Sequence, residues 1–396
     1  MEKMDLDKLV SNIEGSIIED RRVIHSFAEV GFDLPKTKEY VKKRLGSLGL
    51  ISTEIGGSLV ASIENGMGPT VLLRADMDAL NIREKTGLPF ASENGNMHAC
   101  GHDMHTSMLL GAANLLSQMH NKIKGRIVFA FQSAEETLEG AKRMLDDGLL
   151  DFATPNAALM IHTLVGVELP RETAVVASAG VSAPSADFFR VTVKGESSHG
   201  STPYLSTDAL SCGVKIASFI EGLITREIPL YADATISIGT FSSGSAANII
   251  ADTANLEGTF RTTDEEAREK IRAKLTGIVE CVSKAYGAEG NISFYSGCPT
   301  LVNDAHVSRC VHAYVEELIG SKCMYSEELN GRGGGSEDFA YISHKVPSVM
   351  VGLVAGSKYD GFNYPLHNSR VIFDENALKL GAKVYAWCAY RYLSEH

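Results

Sequence analysis

The chain has 396 residues, with 49 acidic and 37 basic side chains and a formal net charge of −12. This negative balance argues against a nucleic-acid or anionic-membrane surface, so a small molecule is the expected partner. A chain of this length exceeds the size of one hydrophobic core, and we expect two domains or one domain that carries an insertion.

The N-terminal segment and the cysteines predict a cytoplasmic protein. The first residues, MEKMDLDKLVSNIEGS, lack the apolar stretch of a signal peptide, and no apolar run approaches the ~20 residues of a membrane span. The seven cysteines are scattered without the spacing of a disulfide framework. We therefore expect reduced cysteines and no membrane association.

Strand and helix patterns alternate through the first half of the chain. Short aliphatic runs predict strands at 70–78 (TVLLRADMD), 126–132 (RIVFAFQ) and 157–162 (AALMIH). Apolar residues at helical spacing predict helices at 104–120 and 135–150. Strands joined by helices of this length imply an α/β fold with a mixed, largely parallel sheet and helices on both faces.

The order of elements changes at about residue 184. The sequence predicts strand DFFRVTVKG, a helix at 206–224, strands ATISIGTF and ANLEGTFRTT, a long helix from Asp264 to about Tyr286, and strand ISFY. This βαββαβ order suits a small α+β sandwich with ferredoxin-like connectivity. Thr263 and Glu266 have the spacing of a capping box at the start of the long helix.

After residue 297 the chain returns to helix, strand and helix. We therefore predict a catalytic α/β domain made of residues 1–183 and 297–396, with residues 184–296 as an inserted domain.

Polar residues stand at the ends of the three predicted strands of the first half. Asp76 and Asp78 end the first strand run, Glu135 and Glu136 follow the second, and His162 ends the third. Ligands of open α/β sheets bind beyond the carboxyl ends of the strands. We expect the functional site at this edge of the sheet.

The segment HACGHDMH, residues 98–105, contains several candidate metal ligands directly before a helix. Cys100 and His102 can face the same ion, and a thiolate with an imidazole suits zinc, nickel, cobalt or manganese. The alternative is a loop whose histidines only cap and pack. The segment alone does not decide between these interpretations.

The adjacent residues Glu135 and Glu136 also have two interpretations. As structural residues they would be solvated glutamates in the first turn of a helix. As functional residues, one would hold a metal ion and the other would act as a general base beside it.

Two further histidines would complete a two-metal site. His162 ends an apolar strand, where a hydrogen-bonded core histidine is the more common case, and His367 lies in a proline-bearing loop before the last helix. Neither residue decides alone. Together they supply the imidazoles that Cys100, His102 and Glu136 would still lack.

Eight stretches of the chain, taken in order, carry a family resemblance. They are LRADMDAL (73–80), HACGHDMH (98–105), SAEE (133–136), IH (161–162), SSHGSTP (197–203), ANIIADTANLEGTFR (247–261), GSEDFAY (335–341) and PLHNSRVIFDENAL (365–378). This set resembles the N-acyl-amino-acid amidohydrolases, which include hippurate hydrolase, auxin-conjugate hydrolases and N-acetyldiaminopimelate deacetylase within the dinuclear aminoacylase and carboxypeptidase superfamily. The resemblance extends from near residue 21 to the C-terminal helix.

The resemblance implies two divalent metal ions, Mn, Zn, Ni or Co, as cofactors. The implied metal ligands are Cys100, His102, Glu136, His162 and His367, with Cys100 between the two ions. Glu135 matches the catalytic base, and Asp78 matches a carboxylate that orients a metal ligand. In the inserted domain, His199 and Asn248 match residues that contact the carbonyl and carboxylate of the substrate.

The implied activity is hydrolysis of an N-acyl-L-amino acid, with an N-acetyl, N-benzoyl or similar group, to a carboxylic acid and a free amino acid. A dipeptidase or an aminobenzoyl-glutamate-type hydrolase would use the same site. A binding protein without catalysis is the remaining class, but such a protein is expected to lose the base or a ligand. This chain keeps all six residues.

Two further expectations concern the inserted domain. Arg261 offers a bidentate fork to a substrate carboxylate, and an exposed strand arginine is an equally good interpretation. The resemblance also implies that the inserted domain acts as a lid and as the dimerisation surface of a homodimer.

Overall fold

The computed structural model describes residues 3–329 and 335–396, which form two compact units. The described part of the first unit consists of residues 3–182, 302–329 and 338–396. The second unit consists of residues 183–301 and 335–337. Among the described residues, no helix combines the length and the apolar character that a membrane crossing requires.

The helices and strands of the described residues are numbered here in chain order. The helices are α1 (Lys3–Phe27), α2 (Pro35–Ser47), α3 (His102–Gln118), α4 (Gly140–Asp146), α5 (Leu149–Phe152), α6 (Ala209–Glu221), α7 (Leu223–Glu227), α8 (Glu265–Tyr286), α9 (Ala305–Ile319), α10 (Ala340–Ser343) and α11 (Asn376–Glu395). The strands are β1 (Thr53–Ile55), β2 (Ser58–Asn65), β3 (Thr70–Asp76), β4 (Gly125–Gln132), β5 (Ala157–Leu164), β6 (Ala174–Val176), β7 (Gly180–Ala183), β8 (Ser185–Lys194), β9 (Ser198–His199), β10 (Ala234–Ser243), β11 (Ile249–Ile250), β12 (Thr253–Thr262), β13 (Glu289–Cys298), β14 (Leu301–Asn303), β15 (Cys323–Tyr325) and β16 (Ser348–Val354).

The first unit is built on a mixed, largely parallel sheet with the strand order β1-β2-β4-β3-β5-β16-β6-β15. The four central strands β4, β3, β5 and β16 run parallel to one another. Strands β2 and β6 flank them in the antiparallel sense. The central strands are apolar and almost entirely buried, as expected for a parallel sheet covered on both faces.

Helices α3 and α11 pack against each other, and α11 also contacts the strands that lead to the predicted site. A Cβ atom at Gly381 would lie 1.8 Å from Sδ of Met108, so a side chain there would force Met108 to move. The hydroxyl of Tyr385 on α11 donates to the carbonyl of Arg74 on β3 and accepts from the N–H of Ile161 on β5. The last helix thus fixes the ends of two central strands.

The larger elements of the second unit follow in the order β8, α6, β10, β12, α8, β13, and its four-stranded sheet is antiparallel with the order β10-β12-β8-β13. Helix α8 begins after Asp264, whose carboxylate accepts a hydrogen bond from the N–H of Ala267 at 2.7 Å. The capping box predicted from Thr263 and Glu266 is therefore wrong, because the aspartate one position later takes the capping role.

Buried charges tie the start of α3 to helix α1. Asp103 lies 3.0 Å from Nε of Arg21 and 2.9 Å from Nδ1 of His25, and Nε2 of His25 lies 3.1 Å from Glu84. Burial disfavours the charged imidazole, but the charge and hydrogen bond of Asp103 and the hydrogen bond of Glu84 outweigh it. The pKa of His25 rises to about 9. His25 is thus an imidazolium held between two carboxylates.

The stability of the protein is expected to fall as the pH rises from about 6.5 to about 9. The pKa of His25 is 6.5 in the unfolded chain and about 9 in the folded one, so its contribution is complete below pH 6.5 and is lost as the pH passes 9. His25→Gln should remove this part of the pH dependence, because an amide does not titrate. The measurement is the midpoint of thermal unfolding across this range. His120→Gln, at an exposed histidine, is the control, and a wild-type profile parallel to that of His25→Gln would refute the assignment.

Candidate metal centre

A tight turn places Cys100 and His102 on the same side of the chain. Gly101 between them has a φ of 88°, in the left-handed region, and a Cβ atom there would lie 2.5 Å from Oγ1 of Thr163. Cys100 and His102 are buried, and helix α3 begins at His102. The turn requires glycine both for its backbone conformation and for the available space.

The imidazole of His102 points its Nε2 into a buried space. Its Nδ1 lies 2.8 Å from the carbonyl oxygen of Asp78, which only accepts hydrogen bonds, so Nδ1 carries the proton. Its Nε2 is buried without a hydrogen-bond partner and lies 3.8 Å from an oxygen of Glu135 and from one of Glu136. This is the orientation of a metal-ligating histidine.

His162 has the same arrangement from the opposite side. Its Nδ1 lies 2.9 Å from the carbonyl oxygen of Thr163, and its Nε2 lies 3.6 Å from Sγ of Cys100. Burial, together with the neighbouring His105, lowers the pKa of His162 to about 3. The ring is therefore neutral, which is the form that binds a metal ion.

Glu135 and Glu136 lie in a turn and not in the first turn of a helix, so the helix predicted from residue 135 is wrong at its start. Helix α4 begins only at Gly140. The N–H groups of the two glutamates donate to the two carboxylate oxygens of Asp78, at 3.0 Å and 3.1 Å. Ala134 before them has a φ of 58°. The fully buried Asp78 thus fixes the backbone from which both glutamates project.

Glu136 faces His367 across the site. Nε2 of His367 lies 3.6 Å from Oε2 of Glu136, and Oε1 of Glu136 is buried without a hydrogen-bond partner. His367 adopts a φ of 62°, and its N–H donates to the carbonyl of Ala99. Burial, with the charges of Asp78 and Asp76, raises the pKa of Glu136 to about 7 against the opposing charge of His102.

The buried His105 is not available as a ligand. The N–H of Thr163 donates to Nε2 of His105 at 2.9 Å, so this nitrogen is an acceptor and the proton is on Nδ1. Nδ1 lies 2.6 Å from Asp76. Both ring nitrogens are thus used, and His105 positions Asp76 and Thr163.

The donor atoms fit divalent transition-metal ions. Cys100, His102 and His162 form one group whose donor atoms lie within 4.8 Å of one another, and Cys100, Glu136 and His367 form another. A thiolate, neutral imidazoles and a carboxylate suit metals of borderline softness. Burial raises the pKa of the Cys100 thiol, and a bound cation would lower it again. The cation would also contact Nε2 of His102 and Oε1 of Glu136, which are buried without a hydrogen-bond partner.

His199 and Asn248 are brought together within the second unit. Strand β9 with His199 pairs with β11, and the N–H of Gly200 donates to the carbonyl of Asn248 at 2.8 Å. The N–H of Ser201 donates to Nδ1 of His199 at 3.2 Å, so the proton of this exposed imidazole is on Nε2. Nε2 is therefore a hydrogen-bond donor.

Arg261 lies elsewhere in the second unit, on β12. Its Nη1 donates to Oγ of Ser336 at 2.6 Å, and the side chain is half-buried. This contact engages one edge of the guanidinium.

The sequence alone assigned no role to Thr163 and did not decide whether His105 binds a metal ion or only packs. The N–H of Thr163 donates to His105, and its carbonyl oxygen accepts a hydrogen bond from His162. Backbone groups leave no signal in residue type, so this part of the site could not have been predicted. The sequence position of Asp76 at a strand end was the available signal for the partner of His105.

Comparison with known proteins places this arrangement in a family. The sequence model of peptidase family M20/M25/M40 matches residues 72–391. Thermostable carboxypeptidase 1 of Saccharolobus solfataricus is 35% identical over 403 residues, which cover 99% of this chain and 98% of the relative. N-acetyldiaminopimelate deacetylase of Bacillus subtilis is 32% identical over 375 residues, which cover 93% of this chain and 96% of the relative.

A solved structure agrees with these matches. A dinuclear metal binding peptidase of the M20 family from Bacillus subtilis superposes with a TM-score of 0.78 and 28% sequence identity, covering 98% of this chain and 99% of that structure. The matched proteins are hydrolases of amide bonds, and so is this protein. The chain belongs to peptidase family M20/M25/M40.

Proposed function

We propose that the protein cleaves the amide bond of N-acyl-L-amino acids, with an N-acetyl, N-benzoyl or similar group, to a carboxylic acid and a free amino acid. The proposal depends on one observation. Nε2 of His102 and Nε2 of His162 both lie close to the buried thiol of Cys100, beside two adjacent glutamates. The relative named N-acetyldiaminopimelate deacetylase supports an N-acyl-amino acid as the substrate class.

Two divalent ions are the proposed cofactors, with Cys100, His102, Glu136, His162 and His367 as their ligands. The two donor groups that share Cys100 support a cysteine between two ions. The M20 structure described as dinuclear supports the count. When bound, such ions polarise an amide carbonyl and lower the pKa of water.

Glu135 is the proposed general base. It is 5% exposed, and its Oε2 lies 3.8 Å from Nε2 of His102, so the carboxylate borders the space into which the ligands point. It would take the proton of the attacking water and then give it to the leaving amine. One carboxyl group would thus act first as a general base and then as a general acid. Asp78 would hold this carboxylate in place through the backbone.

The second unit is proposed to bind the substrate. The Nε2–H of His199 is oriented as a donor, which suits the oxyanion that develops on the carbonyl during attack. Asn248 and Arg261 are proposed to bind the carboxylate of the amino-acid product. The βαββαβ order of the larger elements of this unit supports the ferredoxin-like description. The role of a lid is proposed from the family resemblance.

A homodimer formed through the second unit is also proposed. Leu210 and Val214, one turn apart on α6, and Phe241 on the edge strand β10 are 40%, 44% and 43% exposed. Apolar residues grouped in this way favour an interface between subunits. A cytoplasmic location is proposed because the seven cysteines, all among the described residues, form no disulfide bond.

Chelation is expected to abolish activity, and a divalent ion is expected to restore it. Cys100→Ala should weaken metal retention, because it removes a donor from both groups. Cys212→Ala, in the core of the second unit, should leave metal retention unchanged. Metal analysis of purified protein checks both statements, and fully active protein with only trace metal would refute the proposal.

Substrate choice is tested with panels of N-acetyl- and N-benzoyl-amino acids beside dipeptides and aminobenzoyl-glutamate. The expected result is a higher kcat/KM for the acylated amino acids. The thermostable carboxypeptidase among the relatives favours the alternative, a dipeptidase-like or aminobenzoyl-glutamate-type hydrolase. A higher kcat/KM on the dipeptides or on aminobenzoyl-glutamate would establish that alternative.

A further inference from the structure

A separate group of potential ligands lies where helix α9 meets the end of α11, and it shares no residue with the candidate metal centre. His306 and Cys310 are four residues apart on α9, and therefore on one face, while His396 follows directly after α11. Nε2 of His306 lies 3.0 Å from Nε2 of His396, and Sγ of Cys310 lies 3.7 Å from Nε2 of His306. We call these three residues the α9–α11 cluster.

The ring of His396 is oriented by its own helix. Its Nδ1 lies 3.0 Å from the carbonyl oxygen of Tyr392, so the proton is on Nδ1 and Nε2 presents a lone pair. The ring also stacks on that of Tyr392 with 4.2 Å between the centroids. The lone pair is thus aimed at Nε2 of His306 by two independent contacts.

A hydrogen bond between the two imidazoles does not account for the whole cluster. Such a bond involves only two atoms, whereas the donor atoms of all three residues lie within 4.8 Å of one another. In a tetrahedral zinc site with Zn–N of about 2.0 Å and Zn–S of about 2.3 Å, neighbouring donor atoms are about 3.3 to 3.6 Å apart. The two measured separations differ from these values by only a few tenths of an ångström.

The surroundings of the cluster favour a cation. The carboxylates of Glu395 and Asp304 place negative charge near Cys310, against the positive charge of Arg309. Asp304 already accepts hydrogen bonds from the N–H groups of His306 and Val307, and Glu395 accepts one from the hydroxyl of Tyr314. Glu395 is also paired with Arg391, so the charge that favours a cation here is mainly that of Asp304. Neither carboxylate is required as a ligand, which leaves the fourth position of a tetrahedral site for water.

We propose that the α9–α11 cluster binds one divalent ion of the zinc type through His306, Cys310 and His396. Cys310 loses its thiol proton to solvent on binding, and the thiolate and two neutral imidazoles each donate one electron pair to the ion. The ion then joins the first turn of α9 to the end of α11.

The test uses the full chain, freed of metal, with Co²⁺ as a spectroscopic probe. Cys100→Ser removes the cysteine of the candidate metal centre, so thiolate-to-cobalt absorption in this variant reports on other cysteines. Co²⁺ in excess over what the remaining ligands of the candidate metal centre can bind is expected to produce that absorption, and Zn²⁺ is expected to displace it. Adding Cys310→Ser or His306→Gln should abolish it, whereas adding Cys281→Ser, at an exposed cysteine, should not.

Absence of thiolate-to-cobalt absorption in Cys100→Ser, or absorption that survives Cys310→Ser, would overturn the proposal. His396→Ala serves as a second variant, because a residue after the end of α11 can be changed without disturbing the helix core. It should weaken Co²⁺ binding. His306→Gln in the otherwise unchanged chain should keep its hydrolytic activity, so failure of this site and failure of the proposed function are distinguishable.

Discussion

Glu135→Gln is expected to retain its metal ions and to lose turnover by ~10²–10⁴-fold or more, the usual effect of removing a general base. Glutamine keeps the size of the side chain, and its backbone N–H still donates to Asp78. The ligand positions are therefore undisturbed while proton transfer is lost. The measurements are kcat on an N-acyl-amino acid and the metal content of the same preparation.

Glu136→Gln is the matched variant, since the same substitution is made one residue later on the same turn. The oxygen of Glu136 without a hydrogen-bond partner is the proposed donor to an ion, and a neutral amide is a weaker ligand than a carboxylate. This variant is expected to lose a metal ion as well as activity. Normal binding of two ions by both variants would show that the division of roles between the two glutamates is wrong.

The fold of the first unit follows from apolar runs that are long enough to be distinctive. Strands β3, β4 and β5 lie where their aliphatic residues predict them, because a strand buried on both faces needs apolar side chains throughout. The flanking strands β1, β6 and β15 have only three residues each and leave no comparable pattern. Short flanking strands are therefore visible only in the folded chain.

The turn at Glu135 shows why local sequence patterns predict secondary structure least reliably near a functional site. Residues 135–150 have helical spacing, yet helix α4 starts five residues later, at Gly140. The carboxylate of Asp78, far away in sequence, takes the two N–H groups that a helix would have left without partners. A tertiary contact thus replaces the helix start, and Ala134 adopts a positive φ at the same point.

The candidate ligands could be predicted from sequence motifs, but the orientation of their histidine rings could not. The Nε2 atoms of His102 and His162 are oriented by contacts of the opposite ring nitrogens with the carbonyl oxygens of Asp78 and Thr163, and these contacts depend on the backbone path alone. The α9–α11 cluster was also invisible in the sequence, because His396 is separated by 90 residues from His306. Only the packing of α11 against α9 brings them together.

In the proposed homodimer, His199 and Glu135 are expected to act on the same substrate. His199 belongs to the second unit, whereas the candidate metal ligands and Glu135 belong to the first. The family resemblance implies that the histidine of the inserted domain acts in the site of the neighbouring subunit. His199→Ala and Glu135→Ala are each expected to be nearly inactive as homodimers, because one lacks the proposed oxyanion donor and the other lacks the proposed base.

Mixed dimers of the two variants are expected to regain activity. A heterodimer of His199→Ala and Glu135→Ala contains one site that pairs an intact Glu135 with the partner's intact His199. Equal amounts mixed at random should therefore restore up to about a quarter of wild-type activity, since half of the dimers are mixed and each has one good site in two. Co-expression with native mass spectrometry measures both the heterodimer fraction and the activity. Heterodimers without recovered activity would mean that His199 acts within its own chain or has no part in catalysis.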